Sequence, residues 1–485
     1  MADVLLSDRV DALCILQEDL AESHEQIANM DKVYGSALFT IVAAQGQNAD
    51  AGLPGVRPTY FERIGETEQP RHVKQHVAAV GNDLSIIAPF SRDNSPTQSS
   101  WVWSSRAWTF QERLLSRRLL IFSDNEMVWH CRTMIAREDM PVEQSGYSHE
   151  PLLWLALKAQ HLGIGVDQYY KNGCLEVTRH GFTHVIRSSI FSEYTQMIAQ
   201  YSQRTMTYES DAIHALAGLL RIFSLCFKSP CLYGLPTILL DVALLWRPDQ
   251  SWKGRSSTNL FPNWSWAGWR GRVTYGDLIR MERDETGQTI DTEGIRPMLR
   301  YFVFDKETGS LQPLSGTARG LPVQDAELPK EWEAHAAQDG CESVTHSCRA
   351  PDVFDLDPRV ISELSDRHLV FWTSSANRFH FGERAGADYS CPIVEAYGGM
   401  VGTAMLDSAS GLTPQLLPNQ SFILIAEAHY SLFGQQVDRS DYSEYLVMII
   451  ETNLATAVAR RIGLGQISKI SWVAAEPELK LICLG

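Results

Sequence analysis

The side chains best suited to chemistry lie in two short stretches of the N-terminal part of the chain. One of them, a helical stretch that follows Ser104, carries Arg106, Trp108, Gln111 and Glu112. A helix that only packs against a core would not need so polar and aromatic a face. We therefore treat these four residues as candidate pocket residues. For Gln111 and Glu112 the alternatives are a hydrogen-bonded link between the helix and a sheet, or contact with a ligand.

Asp11 and Cys14 lie in the other stretch, an apolar run over residues 10–16. A carboxylate in a buried strand needs a partner if it is charged. Arg106 or a backbone amide could supply that partner, either as a structural ion pair or as the floor of a pocket. Cys14 is either a small buried hydrophobe or a nucleophile, and the first is favoured because nothing nearby would lower the pKa of its thiol. We include it among the candidate pocket residues.

The elements around Asp11 can be predicted from hydrophobic spacing. Residues 10–16 form a short apolar run of the kind found in strands buried on both faces, and residues 38–44 form a second continuous apolar run. Between them, Ser23 and Gln26 form a capping box that starts a helix with an apolar stripe through Met30 and Tyr34. Strand, helix and strand in this order predict a βαβ unit with parallel strands.

The stretch with the four polar residues has helical spacing at Ala107, Phe110 and Leu114, with Ser104 or Ser105 as N-cap. Two strands, 118–122 and 127–131, follow across a turn at 124–125. The polar segment 46–71 is predicted as loop, and 84–90 as a further strand. Together these patterns indicate an α/β domain over residues 1–135.

Beyond residue 135 the pattern predicts a helical segment over 136–260 and a region rich in β-strands over 261–485. Stripes through Tyr194 and Leu216 indicate two helices, the second capped by Ser210, and 235–246 indicates a third. Residues 275–350 form a loop-rich insertion. Five apolar runs near the C-terminus are typical of strands; they begin at residues 369, 422, 445, 457 and 479.

A cluster of tryptophans near residue 264 has two interpretations. Trp264 and Trp266 would share one face of a strand and could stack on sugar rings, or they could belong to a buried core. Cys341, His346 and Cys348 match no standard zinc spacing, so we predict no metal site there.

Composition narrows the classes of function. The chain has 485 residues, 44% of them hydrophobic and 21% charged, as in an ordinary globular protein. Its net charge of −16 disfavours nucleic acid and anionic membranes as partners. The densest basic group, Arg113, Arg117 and Arg118, suits either a local basic patch or the C-terminal end of a helix. With no apolar run long enough to span a membrane, no secretory signal and nine scattered cysteines, we expect a cytoplasmic protein. Phosphate-loop, Gly-x-Ser-x-Gly and His-Glu-x-x-His motifs do not occur.

A family resemblance rests on two blocks. The segment Arg106-Ala-Trp108-Thr-x-Gln111-Glu112, with Leu115-Ser-x-Arg118 after it, resembles the closing signature of the fungal heterokaryon incompatibility (HET) domain. The segment that begins Asp11-Ala-Leu-Cys14 is similar to that family's other signature. Asp211-x-x-x-Ala215-Leu-x-Gly218 and the tryptophan block resemble the extension that commonly follows this domain. The resemblance implies non-self recognition that triggers death of fused fungal cells, with other HET-domain or incompatibility proteins, or a second copy, as partners.

The HET family in turn resembles TIR domains, which are flavodoxin-like parallel-sheet modules. Some TIR domains cleave NAD with a glutamate in the helix after a central strand, and Glu25 occupies the matching place here. A carboxylate there could stabilise an oxocarbenium-like centre, whereas a first-turn acid is also favoured by the helix dipole alone. NAD is thus a candidate substrate rather than a bound cofactor. HET domains usually open with a strand and loop ahead of the Asp11 block, so we expect an incomplete TIR-like module. We predict a non-catalytic assembly module, with an NAD glycohydrolase and a carbohydrate-binding protein as alternatives.

Overall fold

The computed structural model contains both helices and strands, as an α/β protein requires. The structure describes the following residues: 29–45, 53, 60–64, 67–71, 77–79, 85–87, 101–123, 127–131, 135–137, 170–171, 174–179, 182–186, 190–227, 229–249, 253–254, 260–275, 281–283, 289–291, 295–314, 350–382, 390–395, 397–407, 416–428 and 444–485. The chain divides into two compact units. Unit 1 comprises residues 1–165 and 204–222, and unit 2 comprises 166–203 and 223–485.

Unit 1 combines short helices with a small mixed sheet and two hairpins. Its elements are α1 (Met30–Ser36), β1 (Thr40–Ala43), β2 (Tyr60–Ile64), β3 (Thr67–Arg71), β4 (Val77–Ala79), β5 (Ser85–Ile87), α2 (Val102–Ser105), α3 (Trp108–Leu115), β6 (Arg118–Phe122), β7 (Met127–Cys131) and β8 (Ile135–Arg137). In the later segment of this unit two 3₁₀ turns, Glu209–Ala212 and His214–Leu216, lead into α5 (Ala217–Phe227).

The sheet of unit 1 has the order β1-β6-β7-β8. Strand β1 is parallel to β6, with Val42 opposite Ile121, whereas β6, β7 and β8 are antiparallel neighbours. Alternate residues of a strand point to opposite faces. One face therefore carries Val42, Ile121 and Val128, which are almost fully buried. They form a core with Trp101 and Trp103, so the α2 segment covers this face.

Several predictions for unit 1 are confirmed and others are wrong. Strands β6 and β7 have the predicted bounds, β1 lies within 38–44, and β5 within 84–90. The expected loop over 46–71 is wrong, because β2 and β3 pair there as an antiparallel hairpin. The strand predicted at 10–16, the cap at Ser23 and the turn at 124–125 lie outside the described residues. The predicted pairing of 10–16 with 38–44 therefore stays a prediction.

The helix that carries the four polar residues is broken. Residues 102–105 form one turn, Arg106 is extended with φ −84° and ψ 145°, and α3 begins at Trp108. The predicted N-cap at Ser104 or Ser105 is therefore wrong, since Ala107 precedes α3 and supplies no side-chain cap. Local spacing of apolar residues carries no sign of this break, because the break is made by a distant backbone segment.

Unit 2 contains most of the strands. Its elements up to residue 314 are β9 (Tyr170–Lys171), β10 (Cys174–Arg179), β11 (Phe182–Ile186), α4 (Ile190–Ser202), β12 (Cys231–Leu232), β13 (Leu235–Pro236), α6 (Leu240–Ala243), β14 (Arg247–Pro248), β15 (Lys253–Gly254), β16 (Trp269–Arg270), β17 (Val273–Thr274), β18 (Met281–Arg283), β19 (Thr289–Asp291), β20 (Ile295–Pro297), β21 (Phe302–Asp305) and β22 (Ser310–Pro313), with 3₁₀ turns at Thr237–Leu239 and Trp266–Gly268. From residue 350 onward they are a 3₁₀ turn (Val353–Asp355), α7 (Pro358–Ile361), β23 (Leu369–Ala376), β24 (His380–Phe381), β25 (Ser390–Val394), β26 (Met400–Leu406), β27 (Gln420–Ala428), β28 (Glu444–Thr452), β29 (Ala459–Ser468), α8 (Lys469–Ala474) and β30 (Glu478–Leu484).

An eleven-stranded sheet organises unit 2. Its path runs β22-β21-β23-β27-β28-β29-β26-β25-β24, with β20 beside β27. Strand β30 pairs with β23 and also, in parallel, with β29. The pairings of β23, β27, β28, β29 and β30 therefore close into a ring. Residues such as Phe422, Val447 and Trp472 fill the core beside it. The five strands predicted near the C-terminus are confirmed.

The prediction of helix over the middle of the chain holds only in part. Helix α4 confirms the stripe through Tyr194. The helix expected from Ser210 begins only at Ala217, because 209–216 form 3₁₀ turns. The prediction of a helix over 235–246 is wrong. That segment contains the short strand β13, a 3₁₀ turn and a single turn of α-helix. Strands β9 to β11 were not predicted.

Candidate functional site

The extended residue Arg106 is held by the backbone of the 204–222 segment. It forms an isolated parallel bridge with Thr205. The amide of Ala107 donates to the Thr205 carbonyl at 2.8 Å, and the amide of Thr205 donates to the Ser105 carbonyl at 2.7 Å. These two bonds satisfy backbone groups at the end of α2 and the start of α3, which would otherwise lack partners. The break in the motif helix is therefore a docking point for residue 205.

Arg204 strengthens the same attachment. Its guanidinium lies 4.5 Å from the ring centroid of Phe110, and its Nη1 donates to the Arg106 carbonyl at 3.1 Å. A guanidinium over an aromatic ring contributes roughly 0.5–1 kcal/mol at an exposed site. Phe110 is fully buried, so the cation stacks on the edge of the core of unit 1.

Trp108 faces the first 3₁₀ turn of the later segment. Its indole Nε1 donates to Oδ2 of Asp211 at 3.2 Å, across 103 residues of sequence. The side chain of Trp108 is partly buried. A hydrogen bond to an ionised carboxylate is stronger than one between neutral groups. Trp108 thus joins α3 to the 3₁₀ turns over 209–216 by a side-chain hydrogen bond.

Glu112 is engaged on the other side of α3. Its Oε2 accepts from the indole Nε1 of Trp103 at 3.2 Å, which ties α3 to α2. The hydroxyl of Thr109 donates to the carbonyls of Trp103 and Arg106 and closes the same junction. The link from α3 to the sheet runs through Ser116, whose hydroxyl pairs with that of Thr40 at 2.7 Å.

Gln111 lies in a buried polar cluster between three helices. Its side chain is 1% exposed, and neither Oε1 nor Nε2 has a hydrogen-bond partner among the described residues. The prediction that its amide links the helix to a sheet is therefore wrong. Beside it, Asp31 of α1 pairs with Arg221 of α5, while Oδ1 of Asp31 is buried and unpartnered. Buried polar groups without partners are rare and costly.

Gly218 permits this cluster to form. A Cβ on Gly218 would lie 2.9 Å from the Cβ of Asp31 and 3.2 Å from Oε1 of Gln111. Only glycine allows α5 to approach α1 and α3 so closely. The family-like spacing Asp211…Gly218 therefore has a physical meaning: one residue receives the Trp108 indole, and the other lets the helix reach Gln111.

The structure thus brings together four of the seven residues predicted as a site. Arg106, Trp108, Gln111 and Glu112 all lie between α2 and the end of α3, and three of them have their side chain or backbone bonded within the chain. Asp11, Cys14 and Glu25 lie outside the described residues. Sequence reasoning assigned no contact to Asp31, Arg204 or Arg221, because their partners lie 94 or more residues away.

The tryptophan block of unit 2 is a core, and its expected strand is wrong. Trp264 lies in a turn and Trp266 begins a 3₁₀ turn; they are 0% and 1% exposed. Their indole N–H groups donate internally, to the Arg367 carbonyl and to the Tyr194 hydroxyl. Neither ring offers a face to a sugar, which overturns the carbohydrate-binding alternative. Within the described parts of the chain no group of three His, Cys, Asp or Glu residues could hold a metal ion; Cys341, His346 and Cys348 lie outside them.

Unit 2 also buries charged groups. Arg461 is fully buried, pairs with Asp407 at 2.9 Å, and lies 3.9 Å from a ring centroid of Trp246. Asp241 accepts from the Tyr301 hydroxyl at 3.2 Å. Burial raises the pKa of Asp241 to about 7, although Tyr301 and nearby backbone N–H groups act in the opposite direction. These groups are buried within unit 2, with Arg461 bonded to Asp407 and Asp241 bonded to Tyr301.

One stretch of the described chain is long and apolar enough, by length and composition alone, to cross a membrane. Glu209–Phe227 has a mean hydropathy of 1.4, and half of the 18-residue window is buried in the protein. A core helix of a soluble protein can be equally long and apolar, so this stretch is only weak evidence for a span.

Comparison with known families agrees with the motif analysis. Residues 10–112 match the family model for the heterokaryon incompatibility protein (HET). The chain therefore carries a heterokaryon incompatibility domain, which supports a role related to heterokaryon incompatibility. No curated protein and no solved structure matches the chain. The match ends at Glu112, whereas unit 1 continues through β6–β8 and takes in residues 204–222.

Proposed function

We propose that this protein is a cytoplasmic effector or signalling protein of fungal non-self recognition. In this proposal unit 1 is a TIR-like module that works by assembling with other HET-domain or incompatibility proteins, and assembly triggers death of the fused cell. The module acts without catalysis. An NAD glycohydrolase centred on Glu25 is the alternative that the experiment below must separate from it.

The contacts that the motif side chains make within the chain support the non-catalytic proposal. Trp108 donates to Asp211, Glu112 accepts from Trp103, and Gln111 is buried against Gly218. A catalytic group must be within reach of a substrate atom. These three side chains instead join α2, α3 and the 204–222 segment, as expected for a module that acts by presenting a folded surface to a partner.

Two measurements on the full chain test the proposal. The first follows nicotinamide release from NAD by wild type, by Glu25→Gln and by Glu22→Gln, a matched change of a neighbouring acid. The second follows viability and cellular NAD when the same three proteins are produced in a fungal host. We expect all three proteins to cause equal death with unchanged NAD. The Glu22 variant controls for a nonspecific effect of losing one negative charge.

The enzymatic alternative makes the opposite prediction. A glycosidase that loses its essential carboxylate typically loses most of its catalytic rate. Glutamine has nearly the same size as glutamate, so Glu25→Gln removes the charge and keeps the size of the side chain. Nicotinamide release that persists in Glu22→Gln and disappears in Glu25→Gln, together with loss of killing, would overturn the non-catalytic proposal.

A further inference from the structure

One face of the unit 1 sheet is left accessible and is apolar. Ile41 of β1 lies opposite Leu120 of β6, which lies opposite Trp129 of β7, which lies opposite Ala136 of β8. These four residues form a row on the face opposite the core, and Phe39 packs beside them with its ring centroid 6.3 Å from that of Trp129. We call this row with Phe39 the apolar sheet face.

The exposure of this face is unusual for a sheet in an α/β unit. Ile41 is 55% exposed and Phe39 is 38% exposed, and neighbouring Leu38 is 59% exposed. Leu120, Trp129 and Ala136 are half-buried. Clustered exposed apolar groups of this kind mark interaction surfaces more often than chance positions do. An aromatic residue at the centre of such a patch is typical of the residues that dominate binding.

The charge on this face has one sign. Strands β1, β6, β7 and β8 contain no acid. Arg118 is exposed on β6, two residues before Leu120 and therefore on the same face, and its Nη1 donates to the Leu38 carbonyl at 3.1 Å. A face-to-face dimer would bring two such positive faces together, which is unfavourable. The face therefore suits a partner that is apolar at its centre and acidic around it.

Unit 2 carries a surface with that complementary chemistry. Phe354 is 90% exposed, and Ile361 and Leu454 are 40% and 73% exposed. Acids surround the first two: Asp352, Asp355, Asp357, Glu363 and Asp366 flank them in sequence, against the single cation Arg359 within 352–366. We call residues 352–366, together with Leu454, the acidic turn.

The acidic turn is held in one shape. Asp352 and Asp355 form a reciprocal capping box around the 3₁₀ turn that presents Phe354. Arg359 pairs with both oxygens of Asp357, and its Nη1 donates to the Leu454 carbonyl at 2.7 Å. The Leu454 loop is therefore joined to α7. An anchor that is already ordered loses little entropy when it binds, so an exposed Phe354 on this frame is a good binding residue.

We propose that the apolar sheet face of one copy binds the acidic turn of a second copy. The proposal names the self-association of the assembly module and so rests on the proposed function. Such a contact joins two different surfaces, so a dimer still has one free sheet face and one free acidic turn, and the assembly can extend beyond a dimer. Apolar contact at Ile41 and Phe354 supplies affinity. Electrostatic attraction between Arg118 and the acids of the acidic turn selects the partner and its orientation.

The test uses sedimentation velocity of the full chain at increasing concentration, with single variants on each surface. Wild type should sediment as species larger than the 54.5 kDa monomer as concentration rises. Ile41→Glu and Phe354→Glu should each weaken association about tenfold or more. Ile470→Glu, at a residue that is 84% exposed on α8 and outside both surfaces, is the matched control and should behave as wild type.

Mixing the two variants gives the decisive result. Ile41→Glu retains an intact acidic turn and Phe354→Glu retains an intact sheet face, so the mixture should form one-to-one dimers that do not extend further. A wild-type chain that stays monomeric at every concentration overturns the proposal. So does an outcome in which Phe354→Glu associates as wild type, since the sheet face would then bind something other than the acidic turn.

Two further measurements cover a folding failure and the link to function. If circular dichroism shows that Ile41→Glu does not fold, Arg118→Glu replaces it, because reversing the charge of that exposed side chain buries no charged group. Association should be weaker in Arg118→Glu. Association of wild type should also weaken as the salt concentration rises. Killing by variants that no longer self-associate would overturn the proposal that assembly triggers death and would leave the contact between the two surfaces established. A wild-type chain that associates through these surfaces but does not kill would likewise remove the proposed function and leave this contact intact.

Discussion

The indole nitrogen of Trp108 and the carboxylate of Asp211 are 3.2 Å apart, although 103 residues separate them in the chain. Trp108 begins the helix that contains the family motif, and Asp211 lies in a turn well beyond the residues that match the family. The contact therefore shows that residues 204–222 pack against the motif helix within unit 1. Four further contacts, through Arg204, Thr205, Gly218 and Arg221, support the same conclusion.

Asp211→Ala should loosen this segment without unfolding unit 1. Loss of one partly buried hydrogen bond to a carboxylate costs about 1–2 kcal/mol. We expect faster amide hydrogen exchange over residues 205–216 and over the first turn of α3, with Asp211→Asn closer to wild type because it keeps an acceptor. Tyr208→Ala, at a residue three positions earlier that is 69% exposed, is the control. Unchanged exchange in Asp211→Ala would show that the segment is held elsewhere.

Gly218→Ala should destabilise the protein even though alanine favours helices. The helix preference alone would stabilise by about 1 kcal/mol. The new methyl, however, would meet the Cβ of Asp31 at 2.9 Å, and that atom cannot move without its backbone. Overpacking of this kind costs roughly 1–3 kcal/mol, so we expect a lower free energy of unfolding in urea.

Leu225→Ala is the control for the Gly218 variant, because this side chain is 44% exposed on the same helix. Its effect should be small. A Gly218→Ala protein that is more stable than wild type would mean that α5 does not pack as closely on α1 and α3 as described.

Gln111→Met should raise stability. The amide of Gln111 is buried and its two polar atoms have no partner among the described residues, whereas methionine has a similar length and no such polar atoms. We expect a gain of about 1 kcal/mol in the free energy of unfolding. Gln200→Met, at an exposed position of α4, should change stability little. A loss of stability in Gln111→Met would indicate that a buried water satisfies the amide.

Asp241 should make unfolding depend on pH in a defined window. Burial raises the pKa of its carboxyl from 3.8 to about 7, so the folded state holds a proton that the unfolded state releases. The contribution of this group to stability is therefore greatest below about pH 4 and decreases as pH rises to about 7, by roughly 4 kcal/mol in total. Above that window it is constant.

The measurement for Asp241 is urea unfolding of wild type and Asp241→Asn from pH 4 to pH 8. The asparagine variant keeps an acceptor for the Tyr301 hydroxyl and cannot ionise, so the difference in unfolding free energy should grow with pH in favour of the variant. Asp249→Asn, at a partly exposed carboxylate, is the control. A constant difference across this range would contradict the raised pKa.

Local patterns in the sequence were sufficient for much of the secondary structure. The apolar residues of β6 and β7, the stripe of α4 and the apolar runs of the C-terminal strands all predicted their elements, because each side chain there packs with a neighbour two to four residues away or across an adjacent strand. Patterns failed at 235–246 and at Ser210, where apolar residues were buried by tertiary packing without forming a regular helix. They also failed for the tryptophan block, whose turns follow from internal hydrogen bonds.

The sequence by itself determined that the chain has a HET motif, that its N-terminal part mixes helices with strands, and that its C-terminal part is mainly β. Only the tertiary structure decided what the motif side chains do. Arg106, Trp108 and Gln111 meet residues 204–222 about 100 positions away, and a contact at that separation leaves no periodic signal in the chain. Whether Gln111 is a ligand-contacting amide or a buried one depends on Gly218, which brings a second helix against it.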